Sequence, residues 1–498
     1  MPTNKLGPQP SERTAAISTA ARHATRQRAA HDILLQVVVR VLNLALGVIV
    51  TALVTRLLSQ AGYGQWSTIF IVLTLAGYLT NFGMETVVVR EAAREPEREH
   101  EWLGAMTLLR MIVVGPMIVV SIAAVLLLQE SQQMLVAGLI LIVAMPFGGV
   151  GAVKVVFQLR VNNLVPMLVM TLRSILWAGA VAIIYLTSGG MVALAIAMVA
   201  INSLGSVVQL VAALRLLPRW PRPSRTRLRP LLGAAMPLGI AGMLVIAYAR
   251  IDQVIVYSMA GSRSAGLYGS VYTVLDQAHF VPISILTTLA PIIAASWPAD
   301  RYRMLRAVRL TAELMAITSL GALAFACVAS EPLVRLFFGA SFVAAAPALP
   351  VLGAAFVFIC FGYLNGNLMA VLGLQRRLLL ISLVALVVNV IGNLILVPLI
   401  GFMGAAWMTL ATEIVVFGST SSSILKRLEL PLPRPGRVGR TVLAAVLLAG
   451  ALVMMRLVGA QFAVLALAAC VCYPVLLFGL RALSIDDVRV LLRREKLA

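Results

Sequence analysis

Residues 55–70, TRLLSQAGYGQWSTIF, form a short polar break between two long apolar runs, and residues 258–275, SMAGSRSAGLYGSVYTVL, make a similar break far downstream. Ala61-Gly62-Tyr63-Gly64 returns there as Ala265-Gly266-Leu267-Tyr268-Gly269, again leading into small and aromatic residues. Glycine permits tight turns and close helix approach, and tyrosine suits the membrane–water boundary. The recurrence reads as one helical hairpin used twice, at the matching station of two halves.

Composition sets the environment. The chain of 498 residues is 61% hydrophobic and only 12% charged, and its apolar runs are each long enough to cross a hydrocarbon core of ~30 Å as a helix. Runs this continuous are not the alternating strands of a barrel. The expected fold is an all-α polytopic membrane protein with about 14 spans: 33–55, 65–88, 103–128, 133–155, 163–186, 190–214, 231–258, 267–297, 309–330, 347–373, 378–399, 403–425, 441–458 and 461–481. The first run is too long for a signal-peptide core and lacks a small-residue cleavage site, so it is expected to stay as a helix.

Basic residues then fix the sidedness. Of the 40 Lys and Arg, 32 fall in the even-numbered connections and the two tails, and only Arg56, Arg263, Arg335 and Arg456 lie on the opposite side. Positive loops stay cytoplasmic, which predicts both termini inside. The net charge of +21 is thus mainly topological and does not call for a nucleic-acid partner. Two basic, proline-containing connections mark boundaries, and 215–230 (RLLPRWPRPSRTRLRP) reads as an orientation signal in contact with anionic lipid. The predicted order is a basic cytoplasmic tail (1–32), a six-helix bundle (33–217), an Arg/Pro linker (218–230), a second six-helix bundle (231–425), a second linker (426–440), a final helix pair (441–482) and a short tail (483–498). Two six-span units of like orientation make a parallel repeat, with the substrate site expected between them. Cys327, Cys360, Cys470 and Cys472 lie in apolar runs without metal-ligand spacing and read as buried free thiols. No metal or other cofactor is expected.

Three stretches carry a family resemblance. They are RLLSQAGYGQWSTIFIVLTLAGYLTNFGMETVVVREAARE (56–95), ARIDQVIVYSMAGSRSAGLYGSVYTV (249–274), with an intramembrane Asp before the turn, and NVIGNLILVPLIGFMGAAWMTLATE (389–413), with its Asn-x3-Asn and Gly-x-x-Gly-Ala-Ala elements. Taken in order over about 30–425, they resemble the Wzx-like oligosaccharide flippases of the MATE-like MOP superfamily. That resemblance implies a V-shaped pair of pseudo-symmetric bundles in a bacterial-type cytoplasmic membrane. It also implies a polyprenyl-pyrophosphate-linked oligosaccharide as substrate, with membrane lipids and the glycosyltransferases and polymerase of the same pathway as partners.

Function is sought where the membrane makes side chains expensive. Arg40, Arg110, Arg173, Arg250, Asp252, Asp276, His279 and Glu413 fall inside predicted spans, and a charge near the bilayer centre costs roughly 2.5–3.5 kcal/mol. Such groups must face one another or water. Guanidinium suits a lipid pyrophosphate, so Arg173, near the middle of the fifth span, is expected to line the cavity, with Arg40 and Arg250 as further headgroup candidates. Arg110 reads as a snorkelling residue. Arg250 and Asp252 point to opposite sides of a helix, whereas Arg250 and Asp276 lie at matching depths and are expected to pair. Asp252, Asp276, His279 and Glu413 read either as a structural polar cluster or as an ion-coupling site; His279 alone among them titrates ordinarily near neutrality. Asn389 and Asn393 share a helix face and are read as interhelical packing. Glu85 and Glu313 are expected to pair locally with Arg90 and Arg309.

Other classes fit less well. A membrane glycosyltransferase or polymerase needs polar catalytic residues on a sizeable loop, and the longest outward loop, 331–346, is largely apolar. There is no phosphate-cradling glycine loop for nucleotide hydrolysis. A multidrug antiporter of the same superfamily needs fewer cavity arginines, and a lipid II flippase stays open as an alternative.

Overall fold

The computed structural model describes residues 39, 42–43, 45–149, 152–160, 164–217, 221–222, 224–428 and 435–483, and these contain helices and no strand. In chain order the helices are α1 (Ala45–Leu57), α2 (Gln60–Asn81), α3 (Met84–Arg94), α4 (Glu99–Leu128), α5 (Gln132–Ile142), α6 (Met145–Gly149), α7 (Ala152–Leu159), α8 (Leu164–Leu186) and α9 (Met191–Leu216). The second half follows as α10 (Arg225–Ala278), α11 (Phe280–Ser296), α12 (Arg301–Phe338), α13 (Ala348–Val371), α14 (Gln375–Ile400), α15 (Phe402–Leu425), α16 (Pro435–Leu457) and α17 (Phe462–Gly479).

Among the described residues, 11 helical stretches are long and apolar enough to cross a membrane, and Ala45–Leu57 and Gln132–Phe147 are shorter apolar helices. One counted stretch, Arg225–Ser296, carries two of the expected spans. It turns back at Gly261, whose φ of 82° is open to glycine but strained for other residues. The expected span 133–155 is likewise divided, at Val143–Ala144, just before Pro146. Proline lacks the N–H that continues the helix ladder.

The two halves share one hydrophobic core. Tyr63, Trp66 and Ile69 of α2 pack in the same cluster as Val256, Tyr268 and Val271 of α10 and Phe356 of α13. Contact between α2 and α10 is closest where the repeated motif recurs. A Cβ on Gly64 would sit 1.8 Å from the Ser262 carbonyl oxygen, and one on Gly266 would sit 1.9 Å from that of Gln60. Toward the other end of α2 the same rule holds, because a Cβ on Gly242 would lie 1.7 Å from the Tyr78 hydroxyl.

The apolar connection at 331–346 is no open loop. Helix α12 runs on to Phe338, and the following turn buries Phe342 edge-on to Tyr63, with ring centroids 6.0 Å apart. Arg56 Nη2 donates to the Leu336 carbonyl at 2.7 Å. At the far edge, α16 and α17 pack on α12 through Ala324, Val328, Leu448, Leu452 and Leu465. Across the opposite end, the described part of the first linker lies on the start of α4. Arg222 N–H donates to the His100 carbonyl at 3.3 Å, and Arg227 bridges Glu95 and Glu101 at 3.0 and 3.1 Å while covering the Trp102 ring. Part of that linker's charge is therefore spent on ion pairs within the protein. Of the four cysteines, all free, only Cys360 is buried; Cys327 and Cys470 lie exposed on apolar helices.

Candidate functional site

A backbone break builds the first site. Helix α2 ends at Phe82 and Gly83, both left-handed (φ 39° and 72°), and α3 restarts at Met84 in a new direction. This aims Asn81 and Glu85 at α4, where Arg110 is only 2% exposed. Arg110 Nη2 donates to Glu85 Oε1 at 3.0 Å and to Asn81 Oδ1, while its buried Nε and Nη1 have no partner among the described residues. Arg110 does not snorkel, and Glu85 does not pair with Arg90, which instead bonds Glu91 at 2.8 Å. Arg110 is thus a site residue that sequence reading missed. The signal for it was Gly83, a helix breaker placed between Asn81 and Glu85.

These groups wall a cavity of about 570 Å³ that Arg173 closes from α8. Thr80, Asn202, Ser206 and Gln209 add neutral hydrogen-bonding groups to its lining. Arg173 donates to the Asn202 amide oxygen, and among the described residues no carboxylate pairs with it. Its aliphatic stem crosses α9 at Gly205, where a Cβ would lie 2.4 Å from the Arg173 Cδ. Every residue lining this cavity comes from the N-terminal half. Arg40 lies outside the described residues.

The second constellation is in the C-terminal half. Arg250 holds Asp276 bidentately, Nη1 to Oδ2 at 2.8 Å and Nη2 to Oδ1 at 2.9 Å, with side chains 31% and 28% exposed. The guanidinium also covers the Tyr272 ring at 5.3 Å. Asp252, 2% exposed, points away from Arg250 and accepts from the Tyr268 hydroxyl, the Gln253 N–H at 2.8 Å and Thr409 at 3.3 Å. His279 stacks on Phe356 and meets Tyr363 edge-on, centroids 6.4 and 6.0 Å away, and its buried Nε2 has no partner among the described residues. Glu413 is buried on α15, one turn beyond Thr409. Asn393 donates to Asn389, which donates to Thr412 of α15 at 3.4 Å; this is a helix-to-helix contact. Glu313 bonds Arg437 at 2.8 Å, not Arg309, because α16 folds back over α12.

This architecture and this sequence have relatives. Residues 29–297 match the family described as "Polysaccharide biosynthesis protein". Among solved structures, the lipid II flippase MurJ in an inward closed conformation aligns over 92% of this chain and 100% of its own, with a TM-score of 0.70 at 13% identity. An inward-facing multidrug resistance MATE transporter of the MOP superfamily aligns over 78% of this chain and 95% of its own (TM-score 0.64, 17% identity). An outward-facing MATE transporter of the same superfamily aligns over 78% and 96% (TM-score 0.55, 18% identity). No protein with a curated description matches the sequence. The likenesses at this identity establish the fold, and the family match covers more than half the chain. The chain belongs to the polysaccharide biosynthesis protein family, and it is a multi-pass helical protein with the fold shared by these solved transporters.

Proposed function

We infer that this protein carries a polyprenyl-pyrophosphate-linked oligosaccharide from the inner to the outer leaflet of a bacterial-type cytoplasmic membrane, for surface polysaccharide assembly. The observation that carries the reading is the lining of the N-terminal cavity. The Arg173 guanidinium, which no carboxylate among the described residues neutralises, suits a phosphate oxyanion, and Asn81, Asn202, Ser206 and Gln209 suit sugar hydroxyls, while Arg110 is held by Glu85. A cavity for organic cations would carry a net negative charge, whereas here Glu85 is balanced by Arg110 and Arg173 adds a positive charge.

Alternating access follows from the seam. At Gly64 and Gly266 the predicted outer ends of the two halves approach backbone to backbone. A rotation about that glycine contact would open a path, at the cost of the side-chain contacts that flank it, among them Tyr63 with Thr273 and Ser67 with Gln253. The sugar–phosphate headgroup enters from the cytoplasmic side, the polyprenyl tail stays in lipid, and the glycan leaves outside. Asp252, Asp276, His279 and Glu413 supply the ionisable groups through which an ion gradient would bias this cycle. Glycosyltransferases and a polymerase of the same pathway would supply and consume the substrate.

A lipid II flippase is the second reading, favoured by the coverage of the MurJ likeness. Proteoliposomes containing the purified chain and either a fluorescent polyprenyl-pyrophosphate oligosaccharide or lipid II decide between them. Accelerated flipping of the first alone supports the proposal, and acceleration of lipid II alone replaces it.

A further inference from the structure

The four arginines on the predicted outer side converge on one segment, the end of α12 and the turn that follows it. Positive residues are disfavoured on that side, and each of the four is engaged. Arg335 and Arg456 both donate to Glu331, each at 2.8 Å. Arg56 donates to the Leu336 carbonyl, and Arg263 Nε donates to Gln60 at 2.7 Å. Gln60 extends the link by donating to the Ser341 carbonyl.

Two of these bonds fill gaps that the sequence makes in α12. Pro332 has no N–H, so the carbonyl four residues earlier, that of Val328, loses its partner within the helix. Arg456 of α16 supplies one, with Nη1 2.6 Å from the Val328 oxygen and Nη2 on Glu331. Helix α12 then ends at Phe338, and the last carbonyls of a helix have no donor within it. Arg56, at the end of α1, satisfies that of Leu336. The two capped carbonyls lie eight residues apart, about 12 Å along the helix. One is held by the final helix pair and the other by the N-terminal half.

Beyond Phe338 the turn places Phe342 against Tyr63 and buries Ala345 in the shared core. Residues 332–346 thus bridge the two halves at the predicted outer end. A path that opens there must part these contacts. Helix α12 is weakest at Pro332, where a side chain of another helix replaces a backbone bond. The Arg456 and Glu331 side chains are 41% and 40% exposed, so water can take over their bonds as the joint bends.

Building on the transport reading, we propose that residues 332–346 are a strap hinged at Pro332 that closes the predicted outer end on Arg56, Gln60 and Tyr63, with Arg456 of α16 as the catch that holds the hinge shut. The final helix pair, α16 and α17, thereby sets how often the outer end opens.

The test uses right-side-out vesicles holding the full-length chain, its native cysteines replaced by alanine and Ala345→Cys added as reporter. Ala345 is fully buried, and a membrane-impermeant maleimide reads how often it is uncovered. Arg456→Ala and Glu331→Gln are each expected to raise the labelling rate at least fivefold. Pro332→Ala restores the N–H that bonds Val328 and is expected to lower the rate at least threefold. Wild-type labelling in any of these variants would overturn the proposal. So would an equal rise at Ala137→Cys, a second buried position on α5, because general loosening would then replace the hinge. Should Arg456→Ala fail to insert, Pro332→Ala decides, and an unchanged or faster rate in it overturns the hinge. Labelling needs no substrate, so the two readings fail separately. Variants that shift labelling in preparations that flip nothing keep the strap and remove the flippase reading. Wild-type flipping together with wild-type labelling in every variant removes the strap and keeps the flippase reading.

Discussion

Gly64 of α2 and Gly266 of α10 pack backbone against backbone: a Cβ built on Gly266 would lie 3.1 Å from the Gly64 nitrogen and 1.9 Å from the Gln60 oxygen. The two copies of the repeated motif are therefore the surfaces through which the halves meet. Neither glycine can gain a methyl group without main-chain movement. Gly64→Ala is expected to cost about 1–3 kcal/mol and to lower the melting temperature in detergent. Gly64→Ala/Gly266→Ala should fall short of the sum of the single changes, since both strike one contact. Wild-type melting in both single variants would show that the seam is loose.

The Arg250–Asp276 pair makes a sharper thermodynamic prediction. Asp276→Asn leaves a half-buried guanidinium without its bidentate partner and should destabilise by about 1–3 kcal/mol. Arg250→Gln/Asp276→Asn should recover part of that loss, with a coupling of at least about 0.5 kcal/mol in a double-mutant cycle. Strict additivity would mean that the bond contributes nothing to stability.

Tyr268 is fully buried, and its hydroxyl reaches the buried Asp252 carboxylate. Tyr268→Phe removes that donor and is expected to cost about 1–3 kcal/mol, read as a loss of thermal stability. Thr409→Val, which removes the longer 3.3 Å contact, should cost less. The reverse order would place the main support of Asp252 on α15 instead of on its own hairpin.

Arg227 clamps the first linker to the N-terminal bundle through Glu95, Glu101 and Trp102. Arg227→Gln should raise the rate of tryptic cleavage after the exposed Arg225 about tenfold in inside-out vesicles, without altering insertion. Gly104→Val should do likewise, because a Cβ there would lie 1.8 Å from the Arg222 carbonyl oxygen. Unchanged cleavage in both would release the linker from this role.

Much of this was legible in the sequence because the membrane makes polar residues costly and so singles them out. Helix depth pairs Arg250 with Asp276, and opposite helix faces separate Asp252 from Arg250. The cavity's location was not legible. Only the Phe82–Gly83 break turns Glu85 toward Arg110, a partner 25 residues away, and sequence spacing favours the neighbouring Arg90. Glu313 was missed for a related reason, since its partner Arg437 arrives across a linker from a helix outside both repeats. Local spacing predicts contacts within a helix, whereas these contacts depend on how separate elements pack. Glycine repeats that look like hinge material also let two backbones approach closely, as at Gly64 and Gly266.

The most direct measurement is the flipping rate of a polyprenyl-pyrophosphate-linked oligosaccharide in proteoliposomes holding either the wild-type chain or Arg173→Glu at equal insertion. The wild type is expected to accelerate flipping well above protein-free vesicles, and the charge reversal to remove at least nine-tenths of that acceleration. Equal rates in the two preparations would contradict the account.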